Sequence, residues 1–120
     1  MMYNPKTEVY STLSEIKGIT LTQGSQAVFN ELPAVTFSVA GNSVNVDMDN
    51  EITNQYINVD VHIWANSSVE ASGILAQVEA KMRSIYYNLT SEVDVPNPDT
   101  SLFHIACGFA ATKAINNTRS

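Results

Sequence analysis

The chain has one cysteine, Cys107, among 120 residues, so no disulfide can form within it. Basic residues are also scarce, six Lys and Arg against twelve Asp and Glu, for a net charge of −6. Binding to nucleic acid through phosphates needs clustered Lys and Arg, and neither the number nor the clustering is present. No apolar run approaches the ~20 residues that span a bilayer, which argues against a membrane protein. The opening, MMYNPKTEVYS, lacks the charged-then-apolar layout of a signal peptide, so an intracellular, reducing compartment is expected. On that reading the N-x-S/T triplets beginning at Asn66, Asn88 and Asn116 are chance. Catalytic signatures are missing too: the sequence contains no glycine-rich phosphate loop, no G-x-S-x-G and no H-E-x-x-H.

What is present is a globular composition, 44% hydrophobic and 15% charged. At this length one domain is expected over residues 1–120, with 1–4 and 116–120 frayed, and roughly two-thirds of the unfolded surface can be buried. Asn4-Pro5 is a helix start, a capping side chain followed by a residue whose fixed φ suits the first turn. Val9, Leu13 and Ile16 recur at helical spacing and Gly18 is placed to end the helix, predicted over 5–17. A short strand is possible at Ile19–Leu21. Val35, Phe37 and Val39 alternate with Thr36 and Ser38, predicting a strand over Pro33–Ala40 that Pro33 can only open. Residues 41–54 are polar and acidic and read as a long loop with strand ends at Val44 and Val46.

The clearest alternation is YINVDVHIWA, inside a strand over Ile52–Ala65. Ile57, Val59, Val61, Ile63 and Ala65 take one side; Tyr56, Asn58, Asp60, His62 and Trp64 take the other. The simplest pairing makes this strand antiparallel to the Pro33 strand, a long hairpin with an acidic tip. Ser67-Ser-Val-Glu70 fits a capping box. Behind it Ala71, Ile74, Leu75, Val78, Met82, Ile85 and Leu89 form one stripe, predicting a helix of about five to six turns. Gly73 inside it costs about 1 kcal/mol relative to Ala, which the apolar stripe offsets. Val95-Pro-Asn-Pro-Asp-Thr is a turn-rich connection. Leu102–Ala111 closes the pattern as a strand, with Phe103, Ile105, Cys107 and Phe109 on one face and His104 on the other.

The expected fold is therefore α+β: two helices packed on one face of a mostly antiparallel sheet, in the order α-(β)-β-β-α-β with a long acidic hairpin loop. The opposite face then carries Thr36, Ser38, Asn58, Asp60, His62, Trp64 and His104. Asp60 and His62 with His104 could form a metal site or an acid–base pair, against the plainer reading of polar residues on a polar face; no further ligand with metal-type spacing accompanies them. Asp47, Asp49 and Glu51 resemble the start of a calcium loop, but the frame finds Ile52 and Asn58 where Gly and Glu are required. Cys107 falls on the apolar side, where a thiol is a small hydrophobe. Trp64 either docks on another chain or packs under a loop of its own.

Three stretches, LPAVTFSV, INVDVHIWANSSVEA and PDTSLFHIACGF, together resemble the tail-completion or tail-terminator proteins of long-tailed, non-contractile bacteriophages and prophages. The likeness is one of arrangement: a strand ending in an aromatic, a Ser/Glu-opened helix, and an Asp-Thr-x-Leu-x-His segment starting the last strand. It runs from Leu32 to Phe109, about two-thirds of the chain. The resemblance implies a virion structural protein without enzymatic activity or cofactor, made in the host bacterial cytoplasm. It implies a homo-oligomeric ring, typically a hexamer, at the head-proximal end of the tail, contacting the tail tube protein and the head–tail connector or stopper. Asp47, Asp49, Glu51, Tyr56, Asn58, Asp60, His62, Trp64 and His104 are the interface candidates. Another neck component, a stopper or adaptor, and a small metal-dependent enzyme using Asp60, His62 and His104 are the alternatives.

Overall fold

The computed structural model describes residues 4–23, 32–46, 48, 52–96 and 102–114, with the side chains of 52, 53 and 114 left aside. Helix α1 spans Pro5–Leu13 and opens as expected: the Lys6 N–H donates to Asn4 Oδ1 at 3.1 Å, and Pro5 occupies the first turn. It is shorter than the predicted 5–17. Ser14 Oγ donates back to the Ser11 carbonyl at 2.8 Å, and Glu15 and Ile16 bond the carbonyls three residues earlier, so the chain tightens into turns. Ile16 is nonetheless buried, and Gly18 turns the chain at φ +83°.

Five strands follow: β1 (Thr20–Gln23), β2 (Ala34–Val46), β3 (Ile52–Ala65), β4 (Asn88–Val95) and β5 (Phe103–Ala114), with α2 (Ser68–Ser84) between β3 and β4. They form one open sheet in the order β1-β2-β3-β5-β4, antiparallel except for β1 beside β2. The fold is thus α+β, with β3 at its expected bounds. Both helices lie against the same face, where Val9, Leu13, Val35, Phe37, Val59, Val61, Ile63, Ala71, Ile74, Val78, Met82 and Phe109 share one core.

Three expectations are corrected. The first concerns the loop predicted over 41–54, most of which is strand. β2 continues to Val46, pairing Ser43 with Tyr56 and Val44 with Gln55. From Asn42 to Val46 the β2 side chains are exposed on both faces, so backbone hydrogen bonding holds this half of the strand without the apolar alternation that marks a half-buried one. Only 47–51 separate the strands, and the ladder shifts register at Ala40, where one extra residue stands between the Val39–Val59 and Gly41–Asn58 pairs.

Second, α2 ends at Ser84, and its capping box forms. Ser67 Oγ accepts from the Glu70 N–H, and Glu70 Oε1 accepts from the Asn66 N–H, both at 3.1 Å. At the other end Tyr87 N–H donates to the Met82 carbonyl and Tyr86 N–H to the Arg83 carbonyl, each at 2.9 Å, with Tyr86 at φ +68°. This is a Schellman closure with a tyrosine where glycine is usual. Third, Leu89 belongs to β4, a strand the sequence reading did not contain. β4 is an edge strand, exposed along most of its length, with only Leu89 and Val95 partly covered. The order is α-β-β-β-α-β-β.

The far halves of β2 and β3, flanked by the end of β5, project as an arm, and the molecule extends 55 × 25 × 22 Å. Two side-chain bonds brace the arm. Gln55 Nε2 donates to Asn42 Oδ1 at 2.8 Å, and Asn45 Nδ2 donates to the Tyr56 hydroxyl at 2.9 Å.

Candidate functional site

The strand period places Tyr56, Asn58, Asp60, His62 and Trp64 of β3 on the face turned away from the helices. Thr36 and Ser38 join them from β2, and His104, Ala106 and Gly108 from β5, since His62 pairs with Thr36 and Ala106, and Trp64 with Ala34 and His104. Among the described residues on this face, Asp60 carries the one charged side chain.

At one end of the face three rings pack together. The Trp64 and His104 rings stack with centroids 4.4 Å apart and planes 18° apart. His62 lies 5.6 Å from Trp64 and 5.1 Å from His104. His62 Nδ1 and His104 Nε2 are 2.8 Å apart, so one ring donates its N–H to the lone pair of the other. Trp64 is on the expected face but is only 7% exposed, so it is a packed ring and not an open docking side chain. Ala34 pairs with it across β2 and is itself buried. His104 is held below the usual histidine pKa, first by burial and then by the neighbouring His62. Thr36, directly across from His62, is buried with a hydroxyl oxygen that has no hydrogen-bond partner.

The remaining candidates separate. Tyr56, Asn58 and Asp60 are exposed along the middle of β3, and Tyr56 is tied to the arm by its hydroxyl. Gly108 sits where a Cβ would come within 2.8 Å of Ser91 Oγ and 3.1 Å of Thr90 Oγ1, so β4 closes tightly over the strip beside Asp60. Asp47, Asp49 and Glu51 lie outside the described residues. Among the described residues no three His, Cys, Asp or Glu side chains gather as a metal site would require. His62 and His104 meet each other, and the expected third partner, Asp60, stands apart in the open. Cys107 is buried, its thiol donating to the Val61 carbonyl at 3.3 Å. Burial, with Glu92 and Asp60 adding to it, pushes the thiol up to about 12, which removes it as a nucleophile.

A cleft that the sequence reading missed, about 430 Å³, lies between the start of α2 and the paired ends of β4 and β5, lined by Ala71, Val95, Pro96, Phe103 and Ile105. Its far wall is β4, and without that strand nothing in the sequence encloses the space. The arm, which extends the expected hairpin, exposes Val44, Val46 and Met48. Among the described residues no helix is long and apolar enough to cross a membrane.

The fold has a counterpart in a virus-like particle. It is similar to that of a chain from the virion of a native gene transfer agent particle, with a TM-score of 0.53 and 11% sequence identity, over 92% of this chain and 94% of the other. At that identity the likeness is one of fold. No family model and no curated protein matches the sequence.

Proposed function

We propose that this chain is a structural, non-enzymatic virion protein that closes the head-proximal end of a phage tail tube as a homo-oligomeric ring, a hexamer, and presents the surface to which the head connector attaches. The observation that carries the reading is the near end-to-end likeness of fold to a chain of a gene transfer agent virion. The family resemblance of the three sequence stretches leads to the same class of particle and adds the position at the tail.

The shape of the molecule supports a ring. A ring closes through two different patches, because a self-complementary patch stops at a dimer. The chain offers two such surfaces, a projecting arm with exposed Val44, Val46 and Met48, and a polar sheet face with low charge. In this reading Tyr56, Asn58, Asp60 and the half-buried edges of His62 and His104 make contact, Trp64 packs beside them, and Asp47, Asp49 and Glu51, which lie between β2 and β3 in the sequence, meet the tube or the next subunit. The net charge of −6 suits a channel through which DNA passes without adhering.

Light scattering and negative-stain imaging of the purified protein, with and without isolated tail tubes, test the proposal. Rings seated at one end of each tube are expected. Bare tube ends beside a chain that stays monomeric would refute it, and capture by purified connector in place of tubes would reassign the chain to the stopper or adaptor side of the neck.

A further inference from the structure

The chain has two histidines, and the fold brings both together. His62 on β3 and His104 on β5 are diagonal neighbours across the ladder, since His62 pairs with Ala106 and Trp64 with His104. Their facing nitrogens, Nδ1 and Nε2, stand 2.8 Å apart, and both rings are half-buried, so the pair keeps an edge toward solvent. That separation is a hydrogen-bond distance and also a chelate distance. With metal–nitrogen bonds of about 2.0 Å, two donors at right angles around one ion lie about 2.8 Å apart, whereas two at the tetrahedral angle lie about 3.3 Å apart. The spacing therefore fits neighbouring corners of a square-planar or tetragonal site, the geometry of Cu(II) and Ni(II), and is shorter than tetrahedral zinc sets.

Two protein donors are fewer than the three or four of a zinc site, and they suffice for a chelate whose remaining positions water fills. The surroundings suit such an ion. Burial, and then His62, hold His104 below the usual histidine pKa, which preserves its lone pair. Asp60, two residues before His62 on the same face and about 7 Å away by strand geometry, adds a favourable negative charge without being a ligand. A metal-bound imidazole sends its other N–H to an acceptor, and the buried Thr36 hydroxyl oxygen, which lacks a hydrogen-bond partner, lies across the β2–β3 ladder from His62. In the metal-free pair one N–H bridges the rings. A metal takes both lone pairs, so the bridging proton moves through water to the other nitrogen of its own ring. Each ring then turns about its soft Cβ–Cγ bond to aim at the ion.

We propose that His62 Nδ1 and His104 Nε2 form a metal site: a two-imidazole chelate that holds Cu(II), and Ni(II) more weakly, on the open face of the sheet, with water completing the coordination. The order of the two ions follows the general affinity series for nitrogen ligands. The site does not depend on the virion reading. An ion there would add positive charge to a face whose one described charged side chain is Asp60.

The test is specific because no other histidine exists in the chain, and its single tryptophan reports on the site. The Trp64 ring centroid is 4.4 Å from that of His104 and 5.6 Å from that of His62, so a paramagnetic ion between the imidazoles quenches its emission. Wild-type protein free of any histidine tag is titrated with Cu(II) near neutral pH, and the frozen complex is measured by pulsed electron paramagnetic resonance. Quenching should saturate at one ion per chain and reverse when a chelator is added. The spectrum should be axial, with two imidazoles coupled equatorially to the copper. His62→Gln and His104→Gln should each weaken binding at least ~10-fold. Quenching that does not saturate at one ion, a spectrum with one imidazole or none, or binding that survives in both variants would overturn the proposal. Copper held adventitiously by carboxylates of this acidic chain shows no imidazole coupling and counts against it equally. Should a variant fail to fold, the wild-type spectrum decides, because the number of coupled imidazoles is read without any substitution.

Discussion

Tyr86 provides the sharpest test of the backbone geometry. It stands at φ +68° immediately after α2, the position where a left-handed residue closes a Schellman motif. For an L-residue that conformation costs about 1–2 kcal/mol relative to glycine. Glycine restores about 0.5–1 kcal/mol of that as the entropy an unfolded glycine loses on folding. The ring itself returns little: it is 80% exposed, and its contact is with Lys113 Nζ at 5.6 Å. Such an exposed cation–π contact is worth about 0.5 kcal/mol. Lys113 keeps its other partners, the Tyr87 ring at 5.1 Å, the Ile85 carbonyl and Glu8 at 3.6 Å. Replacing the tyrosine by either small residue loses the ring contact equally, so the comparison between the two isolates the backbone. Tyr86→Gly should be more stable than Tyr86→Ala by about 0.5–1 kcal/mol, an increase in melting temperature of about 2–4 °C. Inside a helix the order reverses, and at exposed Ala80 a glycine should cost about 1 kcal/mol. Urea unfolding of the three variants measures both signs. An alanine at 86 as stable as the glycine would show that the chain does not turn left-handed there, and the helix end would have to be redrawn.

Further outcomes follow from the same geometry. Thr36→Val replaces a buried hydroxyl whose oxygen has no partner by a methyl of equal size, and should leave stability unchanged or raise it by up to about 1 kcal/mol in urea unfolding. Ser67→Ala removes the acceptor for the Glu70 N–H and should lower stability by about 1 kcal/mol in the same assay. Cys107, buried and with its thiol pushed up to about 12, should resist a thiol reagent in the folded protein near neutral pH and react fully once denaturant is added. His104 titrates below the ordinary histidine value of 6.5, because burial and then His62 disfavour its charge, so the unfolded chain takes up protons first as pH falls. Stability from this group is therefore complete above 6.5 and declines below it, and pH-dependent unfolding of His104→Gln should show a shallower acid slope than the wild type.

The parts of this fold that were legible in the sequence are those where burial imposes a period. Val59, Val61 and Ile63 face the helices with no exposure, and their alternation located β3 at both ends. The start of α2 was legible for a different reason, since a cap is made by adjacent residues and Ser67 and Glu70 need nothing distant to bond the backbone. Where neither burial nor local bonding acts, the reading failed. The far half of β2 has water on both sides, and so does most of β4, so a strand there needs only a neighbour's backbone and leaves no trace in hydrophobicity. At the end of α2 two effects combined. Ile85 and Leu89 keep the helical spacing by coincidence, and the residue that turns the chain is a tyrosine, which carries no stop signal.

The same distinction governs the candidate site. Alternation correctly assigned Asp60, His62 and Trp64 to the face away from the core, because facing is a property of one strand. Whether a residue on that face is open is a property of its neighbours in space, and one neighbour stacked on Trp64, His104, lies 40 positions away on β5. A lone tryptophan on a polar strand face looks like a docking residue when only the strand is considered. Set beside two imidazoles, it is one member of a packed trio of rings. That packing moves the accessible polar edge at this end of the face from the indole to the histidines, which are half-buried while Trp64 is 7% exposed.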